Sequence, residues 1–270
     1  MEAKLVFRHS RKGSNMKIVV KVGTSSLTYK TGLLNIRKVE RLVKALSDIK
    51  NAGHEVILVS SGAIAMGVGK LNLPTRPDDI PTKQACAAVG QCELMYTYDK
   101  LFTDYRHTVA QLLLTAEDFN SDERRSNFEN TMERLLTLGA LPIINENDTI
   151  ATEEIKVGDN DTLGAVVANA VHADLLVLFS DIDGLYDKDP HKHADAVLIP
   201  VVEKITPEIE ALADGKGSAL AVGGMMTKIR AAKTVTANGS DMVITNGENP
   251  EVLYDIVDGK NVGTRFVAEK

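Results

Sequence analysis

Two lysines sit where a phosphoryl group could be held from both sides. Lys21 stands at the end of the apolar run 17–22, with Gly23, Thr24, Ser25 and Ser26 directly behind that run. Lys228 stands just behind a second glycine-rich stretch, Val222, Gly223, Gly224, Met225, Met226 and Thr227. Each cation lies beside a glycine-rich corner, where bare backbone N–H groups can approach anionic oxygens. Transfer of a phosphoryl group needs little covalent chemistry from a protein. It needs positive charge, N–H donors and a positioned acceptor.

Each candidate also has a plainer explanation. Lys21 ends a strand whose other residues are apolar, and an ammonium there is costly unless it reaches a polar pocket or solvent at a sheet edge. Lys228 is expected in the first turn of a helix at 227–238, where the dipole disfavours a cation unless an anion also sits there. Ser60, Ser61 and Gly62 form a turn before a small-residue helix, suited to donating to an anion or to ordinary capping. Ser61 is no nucleophile elbow, because Val59 stands where that motif requires glycine.

Two clusters, 145–148 (Asn145, Glu146, Asn147, Asp148) and 158–161 (ending in Asn160 and Asp161), follow apolar segments. Their carboxylates and amides suit an amine, a hydroxyl or Mg²⁺-bound water, and equally turn chemistry. Ser180 and Asp181 end the most apolar strand, where a nucleotide base and ribose, or merely a tight loop, would fit. His191 and His193 lack a third ligand at useful spacing and are expected on a solvated loop. Neither the P-loop nor the dinucleotide-binding glycine pattern occurs.

The elements that must position these groups alternate. Strands are expected at 17–22, 55–59, 107–114, 141–144 and 175–179. Helices are expected at 36–52, 63–70, 82–105, 121–138, 159–170 and 227–238, with a short hairpin at 149–157. In the first helix Ile36, Val39, Leu42, Val43, Leu46 and Ile49 share one face, behind Asn35 as cap. Strands separated by helices predict parallel pairing, right-handed crossovers and helices on both faces of an open sheet. Ligands in such sheets bind beyond the carboxyl ends of the strands. The polar clusters at 23–26, 60–62, 145–148 and 180–181 all fall there, which predicts one composite site.

Bulk properties narrow the class. The chain of 270 residues is 44% hydrophobic, ample for a core, with 31 basic against 37 acidic residues and a net charge of −6. That balance disfavours nucleic-acid binding through bulk charge. No apolar run reaches the roughly 20 residues that span a bilayer. Cys86 and Cys92 have neither zinc nor redox spacing and read as reduced core cysteines of a cytoplasmic protein. Residues 1–15, basic and without periodicity, are expected to be a disordered leader or extension, and 16–270 one domain.

The blocks at 21–26, 60–65, 144–148, 155–161 and 223–228 together resemble the amino acid kinase family, over essentially 16–266. The resemblance implies a three-layer αβα sandwich with an open, mainly parallel sheet of about eight strands, carbamate kinase-like. It implies transfer of the ATP γ-phosphoryl group to the side-chain carboxylate of L-glutamate, with Mg²⁺ held mainly through the ATP phosphates. By position, Lys21 would contact the transferring group and Lys228 would neutralise phosphate charge, with Asp161 orienting both lysines. Ser61, Asp148 and Asn160 would bind glutamate. Lys21, Gly23, Thr24, Ser180, Asp181 and 222–228 (Val222, Gly223, Gly224, Met225, Met226, Thr227 and Lys228) would line the ATP site.

Many relatives carry Gly-Thr before the glycine pair where this chain has Ala221 and Val222, so a hydroxyl is missing and Val222 is left as a backbone contact. Many also carry a C-terminal RNA-binding-like domain, whose functions are not transferred to a chain ending at Lys270. Relatives of this kind commonly form dimers or tetramers and respond to proline, and the labile product suggests hand-over to a glutamyl phosphate reductase. Three rivals stay open at this stage. They are another carboxylate or carbamate kinase on the same fold, a non-catalytic nucleotide-binding regulator, and an RNA binder.

Overall fold

The computed structural model describes residues 15–29, 31–151, 160–213 and 221–269. Most of the leader and of the expected hairpin, together with Gly158 and Asp159, lie outside the described residues.

Eight strands form one sheet. They are β1 (Lys17–Lys21), β2 (Glu55–Val59), β3 (Val109–Leu114), β4 (Leu141–Glu146), β5 (Leu175–Ser180), β6 (Val201–Val202), β7 (Asp241–Asn246) and β8 (Thr264–Phe266). The order is β3-β4-β2-β1-β5-β7-β8-β6. Pairing is parallel except between β7 and β8, so β8 and its partner β6 run against the rest. The chain moves from β1 to one side through β2 and β4, then returns to β5 on the other side. The order in which strands are added therefore reverses between β1 and β5, the parallel neighbours between which open α/β sheets form a ligand crevice.

The described helices are α1 (Thr24–Leu27), α2 (Ile36–Asn51), α3 (Ala63–Lys70), α4 (Ile80–Thr103), α5 (Asp122–Thr137), α6 (Asn160–Ala170), α7 (Pro207–Ala213), α8 (Ala221–Thr236) and α9 (Val252–Val257). Strand alternation divides the core in two. Val19, Ile57, Ile144, Leu176 and Ile244 face α5, α6 and α8 through Phe128, Met132, Leu163, Ile229 and Val235. Ile18, Val20, Leu58, Val177 and Val243 face α2, α4 and α9 through Leu46, Leu94, Phe102 and Ile256. Burying each large apolar side chain contributes roughly 1.5–3 kcal/mol. Lys21 shares the parity of Val19, which turns its side chain towards α6 and α8.

Local signals start the helices. Asn35 accepts from Lys38 N–H, as its place before α2 predicts, and Asp79 accepts from Thr82 N–H at 2.8 Å to open α4. Ile36 departs from expectation: it is 59% exposed, while Val39 and Leu42 on the same helix are buried. Cys86 is buried but Cys92 is exposed. Six residues advance about 240° around a helix, so the two cannot share the buried side of α4.

Helices α3 and α4 approach closely at glycines. A Cβ added to Gly90 would lie 1.8 Å from Ala63 O and 2.4 Å from Gly67 N, both backbone atoms. Gly90→Ala is therefore expected to destabilise the fold by about 3 kcal/mol, although alanine is the better helix former. The melting temperature should fall by roughly 6–12 °C. An unchanged melting curve would show that the helices do not meet there.

Candidate active site

The sheet brings the polar strand ends together. Lys21 registers with Val59 on one side and Leu178 on the other, Ser60 N–H donates to Ile144 O, and Gly247 N–H donates to Ser180 O. The carboxyl ends of β1, β2, β4, β5 and β7 thus form one rim. Lys21 is buried on it, with Gly164 of α6 against the aliphatic stem: a Cβ there would lie 3.5 Å from Lys21 Cβ.

The two lysines converge on one carboxylate. Lys21 Nζ donates to Asp161 Oδ1 at 2.5 Å and Lys228 Nζ donates to Asp161 Oδ2 at 2.9 Å. Thr227 Oγ1 reaches the same Oδ2 at 3.3 Å. Asp161 is 2% exposed. Burial alone would push its carboxyl up. The adjacent charges of Lys21 and Lys228, with their hydrogen bonds, outweigh that and hold it below the usual carboxylate range. A carboxylate so held is a poor base. It serves instead to fix two ammonium groups at one spot, leaving a net positive charge for an anion to meet.

The setting of Lys228 differs from the expected one. The stretch containing Gly223 and Gly224 is no turn before a helix: α8 begins at Ala221, and Lys228 lies in its third turn. The dipole penalty expected for Lys228 therefore does not arise. Its ammonium also donates to Gly224 O at 3.1 Å, one turn back. Gly224 has open space around it, while Met225 and Met226 are half-buried against the core. Val222 and Gly223 lie in the first turn of α8.

Beside this centre is a pocket of about 520 Å³, counting its open mouth, lined by Thr24, Ser61, Arg76, Asn145, Asp148 and Asn160 among others. Gly62, at φ +97°, turns the chain from β2 into α3 in a left-handed conformation that a side chain would strain. Asn160 Nδ2 reaches Ser60 O at 2.9 Å, Ser61 Oγ at 2.7 Å and Asn145 Oδ1 at 3.1 Å. Those three acceptors fix the amide's orientation. Its other atom, Asn160 Oδ1, is buried with no hydrogen-bond partner among the described residues. A buried acceptor left unmade is expensive, and a ligand N–H would satisfy it. Asp148, half-buried, is pushed up to about 6 by burial, against the lowering charge of Arg76.

Helix α4 braces this pocket from below. Gln91 Oε1 accepts from Asn145 Nδ2 at 2.9 Å, leaving Asn145 Oδ1 free to accept from Asn160 and from Glu146 N–H. Tyr98 OH lies 3.0 Å from Ser60 Oγ, which itself donates to Ser61 O, so the phenol is the donor. Burial pushes the Tyr98 phenol above its usual range and keeps that proton in place.

Of the residues expected at a site, Lys21, Asp161 and Lys228 meet directly, and Ser61, Asp148 and Asn160 share the adjoining pocket. Gly23 and Thr24 follow Lys21 at the β1 end, and Thr24 lines the pocket, so these residues lie between the two parts. Ser180 ends β5 and bonds Asp181 through its hydroxyl at 3.1 Å, farther along the same rim. His191 and His193 are exposed, and among the described residues no cluster of three or more His, Cys, Asp or Glu could hold a metal. Sequence reasoning missed Arg76, Gln91 and Tyr98. No local signal marks them, because only the α3–α4 connection and the run of α4 beneath the sheet end bring them to the pocket.

Comparison with known proteins gives a consistent picture. Residues 16–246 match the amino acid kinase family. A glutamate 5-kinase from Clostridium perfringens is 52% identical over 258 residues, covering 94% of this chain and 96% of that protein. A glutamate 5-kinase from Clostridium tetani is 56% identical over 253 residues, covering 94% and 95% respectively. Among solved structures, carbamate kinase from Giardia lamblia bound to AMP-PNP superposes with a TM-score of 0.67 at 17% identity, covering 95% of this chain and 99% of that one. Isopentenyl phosphate kinase from T. acidophilum gives 0.61 at 19% identity, covering 93% and 99%. At such identities the structural matches speak for the fold alone.

Proposed function

The chain belongs to the amino acid kinase family, and from that membership we infer ATP-dependent phosphorylation of the side-chain carboxylate of L-glutamate, the opening reaction of proline biosynthesis. The products are glutamyl 5-phosphate and ADP. The observation that carries this reading is similarity to glutamate 5-kinases above half identity across nearly the whole chain. The adjacency of the paired-lysine centre to a pocket with carboxylate and amide acceptors supports it.

The chemistry follows from charge. The glutamate γ-carboxylate is already ionised and nucleophilic at neutral pH, so no base is needed. One of its oxygens forms a bond to the γ-phosphorus while the bond to the β–γ bridging oxygen breaks and ADP leaves. The obstacle is repulsion between two anions. In the roles proposed here, Lys21 faces the transferring group, Lys228 neutralises the phosphates from the nucleotide side, and Asp161 holds both in place. The N–H groups near Gly23 and Thr24 approach the phosphates, and Ser180, Asp181 and the start of α8 line the nucleotide. Asp148 and Asn160 Oδ1 accept from the α-ammonium, with Ser61 beside them.

Mg²⁺ is a further proposal. Asp161 presents both oxygens to lysines, so the residues here fit an ion carried by the ATP phosphates rather than one seated on Asp161. Bound there, it would neutralise charge on the β- and γ-phosphates. The single sheet from β1 to β8 supports treating 16–270 as one catalytic unit. The reading carries with it a homo-oligomer of dimer or tetramer size, feedback inhibition by proline and transfer of the labile product to a reductase. It also carries a cytoplasmic location; no helix among the described residues is long and apolar enough to cross a membrane.

The test is trapping of the acyl phosphate by hydroxylamine. ATP-dependent hydroxamate should form with L-glutamate and not with aspartate, N-acetylglutamate or carbamate. Preference for one of those acceptors would move the chain to another kinase of the same fold. Nucleotide binding without turnover of any acceptor would mark a regulator.

A further inference from the structure

We propose that Arg76 receives the α-carboxylate of the amino-acid substrate and so sets the requirement for a free carboxylate beside the amino group. The inference rests on the glutamate reading above. The substrate brings three charges to the pocket: a γ-carboxylate that must face Lys21, an α-ammonium and an α-carboxylate. Among the described residues lining the pocket, Asp148 and Arg76 alone carry formal charge. Asp148 and the unpartnered Asn160 Oδ1 suit the ammonium. Without a cation the acidic lining would repel the carboxylate next to it.

Lys21 and Lys228 are not free for that task, because both are held by Asp161 at the phosphoryl centre. Arg76 is free. It lies in the 71–79 connection between α3 and α4, and among the described residues its guanidinium makes no ion pair or hydrogen bond. Its planar fork of donors matches a carboxylate in bidentate fashion, which a lysine in its place would not reproduce. Arg76 and Asp148 together complement the zwitterionic head of an α-amino acid, and the side chain is left to reach towards Lys21.

The test compares wild type, Arg76→Ala and Arg76→Lys in hydroxamate formation from radiolabelled L-glutamate, with L-isoglutamine as competitor. Isoglutamine keeps the γ-carboxylate and the ammonium but carries an uncharged α-carboxamide. The label reports glutamate turnover alone, whether or not the competitor reacts. Arg76→Ala is expected to raise the KM for glutamate about tenfold, with kcat and the KM for ATP within about threefold of wild type. The competition constant of isoglutamine should stay within about twofold, and Arg76→Lys should recover part of the loss. A glutamate KM within about twofold of wild type in Arg76→Ala would overturn the assignment. So would equal weakening of glutamate and isoglutamine, which would mark a general loss of pocket shape. A wild type that forms no glutamyl hydroxamate would overturn both this proposal and the glutamate reading. An active wild type with an indifferent Arg76→Ala would overturn this proposal only.

Discussion

Lys21→Ala is expected to lower kcat by about a thousandfold while the KM for glutamate changes by no more than about threefold. The ammonium is buried at the switch point between β1 and β5 and is aimed by Asp161 towards the rim where the polar strand ends meet. A fixed cation in such a site costs no reorganisation when charge develops on the transferring group, and one donor of this kind is worth about 10²–10³ in rate. Loss of positive charge between two anions adds to that. In the proposed roles glutamate is held elsewhere, by Asp148, Asn160 and Arg76, so its affinity should survive. Steady-state kinetics with a melting curve as folding control decides the matter. A kcat within about tenfold of wild type would remove Lys21 from the reaction.

Asp161→Asn should harm both stability and turnover. The two lysine side chains are only 10% and 11% exposed, and Asp161 is the carboxylate between them. An amide of the same shape keeps one acceptor and loses the charge, leaving two buried ammonium groups facing each other. Breaking a buried pair in this way costs about 3–5 kcal/mol, a fall of roughly 6–20 °C in melting temperature for the ligand-free protein. ATP should restore part of the loss, because its phosphates replace the missing counter-charge. The pH dependence has a definite sign. The folded carboxyl titrates below the usual range, so the unfolded chain takes up the proton first. Asp161 therefore contributes stability above the ordinary carboxylate range, and that contribution is lost as pH falls towards its depressed folded value. In Asp161→Asn this part of the acid sensitivity should disappear. A variant that melts like wild type at neutral pH, without nucleotide, would show that the two ammonium groups do not depend on Asp161.

Much of this was legible in the sequence because local chemistry and global position agree. A lysine ending an apolar strand, Asn35 before an amphipathic helix, and polar clusters after successive strands each point the same way. The corrections have physical causes. Gly223 and Gly224 lower helix propensity and read as a turn, yet α8 runs through the stretch, anchored on the core by Met225 and Met226. Strands β6 and β8, of two and three residues, are too short for alternation to register. Leu141–Glu146 runs on past its apolar part, so Asn145 and Glu146 are strand residues rather than the loop behind one. Arg76, which lines the pocket, and Gln91 and Tyr98, which brace Asn145 and Ser60 behind it, could not be found locally, since only the course of α4 and of the loop before it brings them there.

Lys21 and Lys228 are expected to converge on one nucleotide tail, with the amino acid held opposite in the Asp148–Asn160 pocket. A crystal structure of the protein with Mg²⁺, a non-hydrolysable ATP analogue and L-glutamate tests it most directly. Both ammonium groups should lie within hydrogen-bond distance of β- or γ-phosphate oxygens, with the glutamate γ-carboxylate in line with the γ-phosphorus. A phosphate chain bound away from either lysine, or glutamate seated outside that pocket, would contradict it.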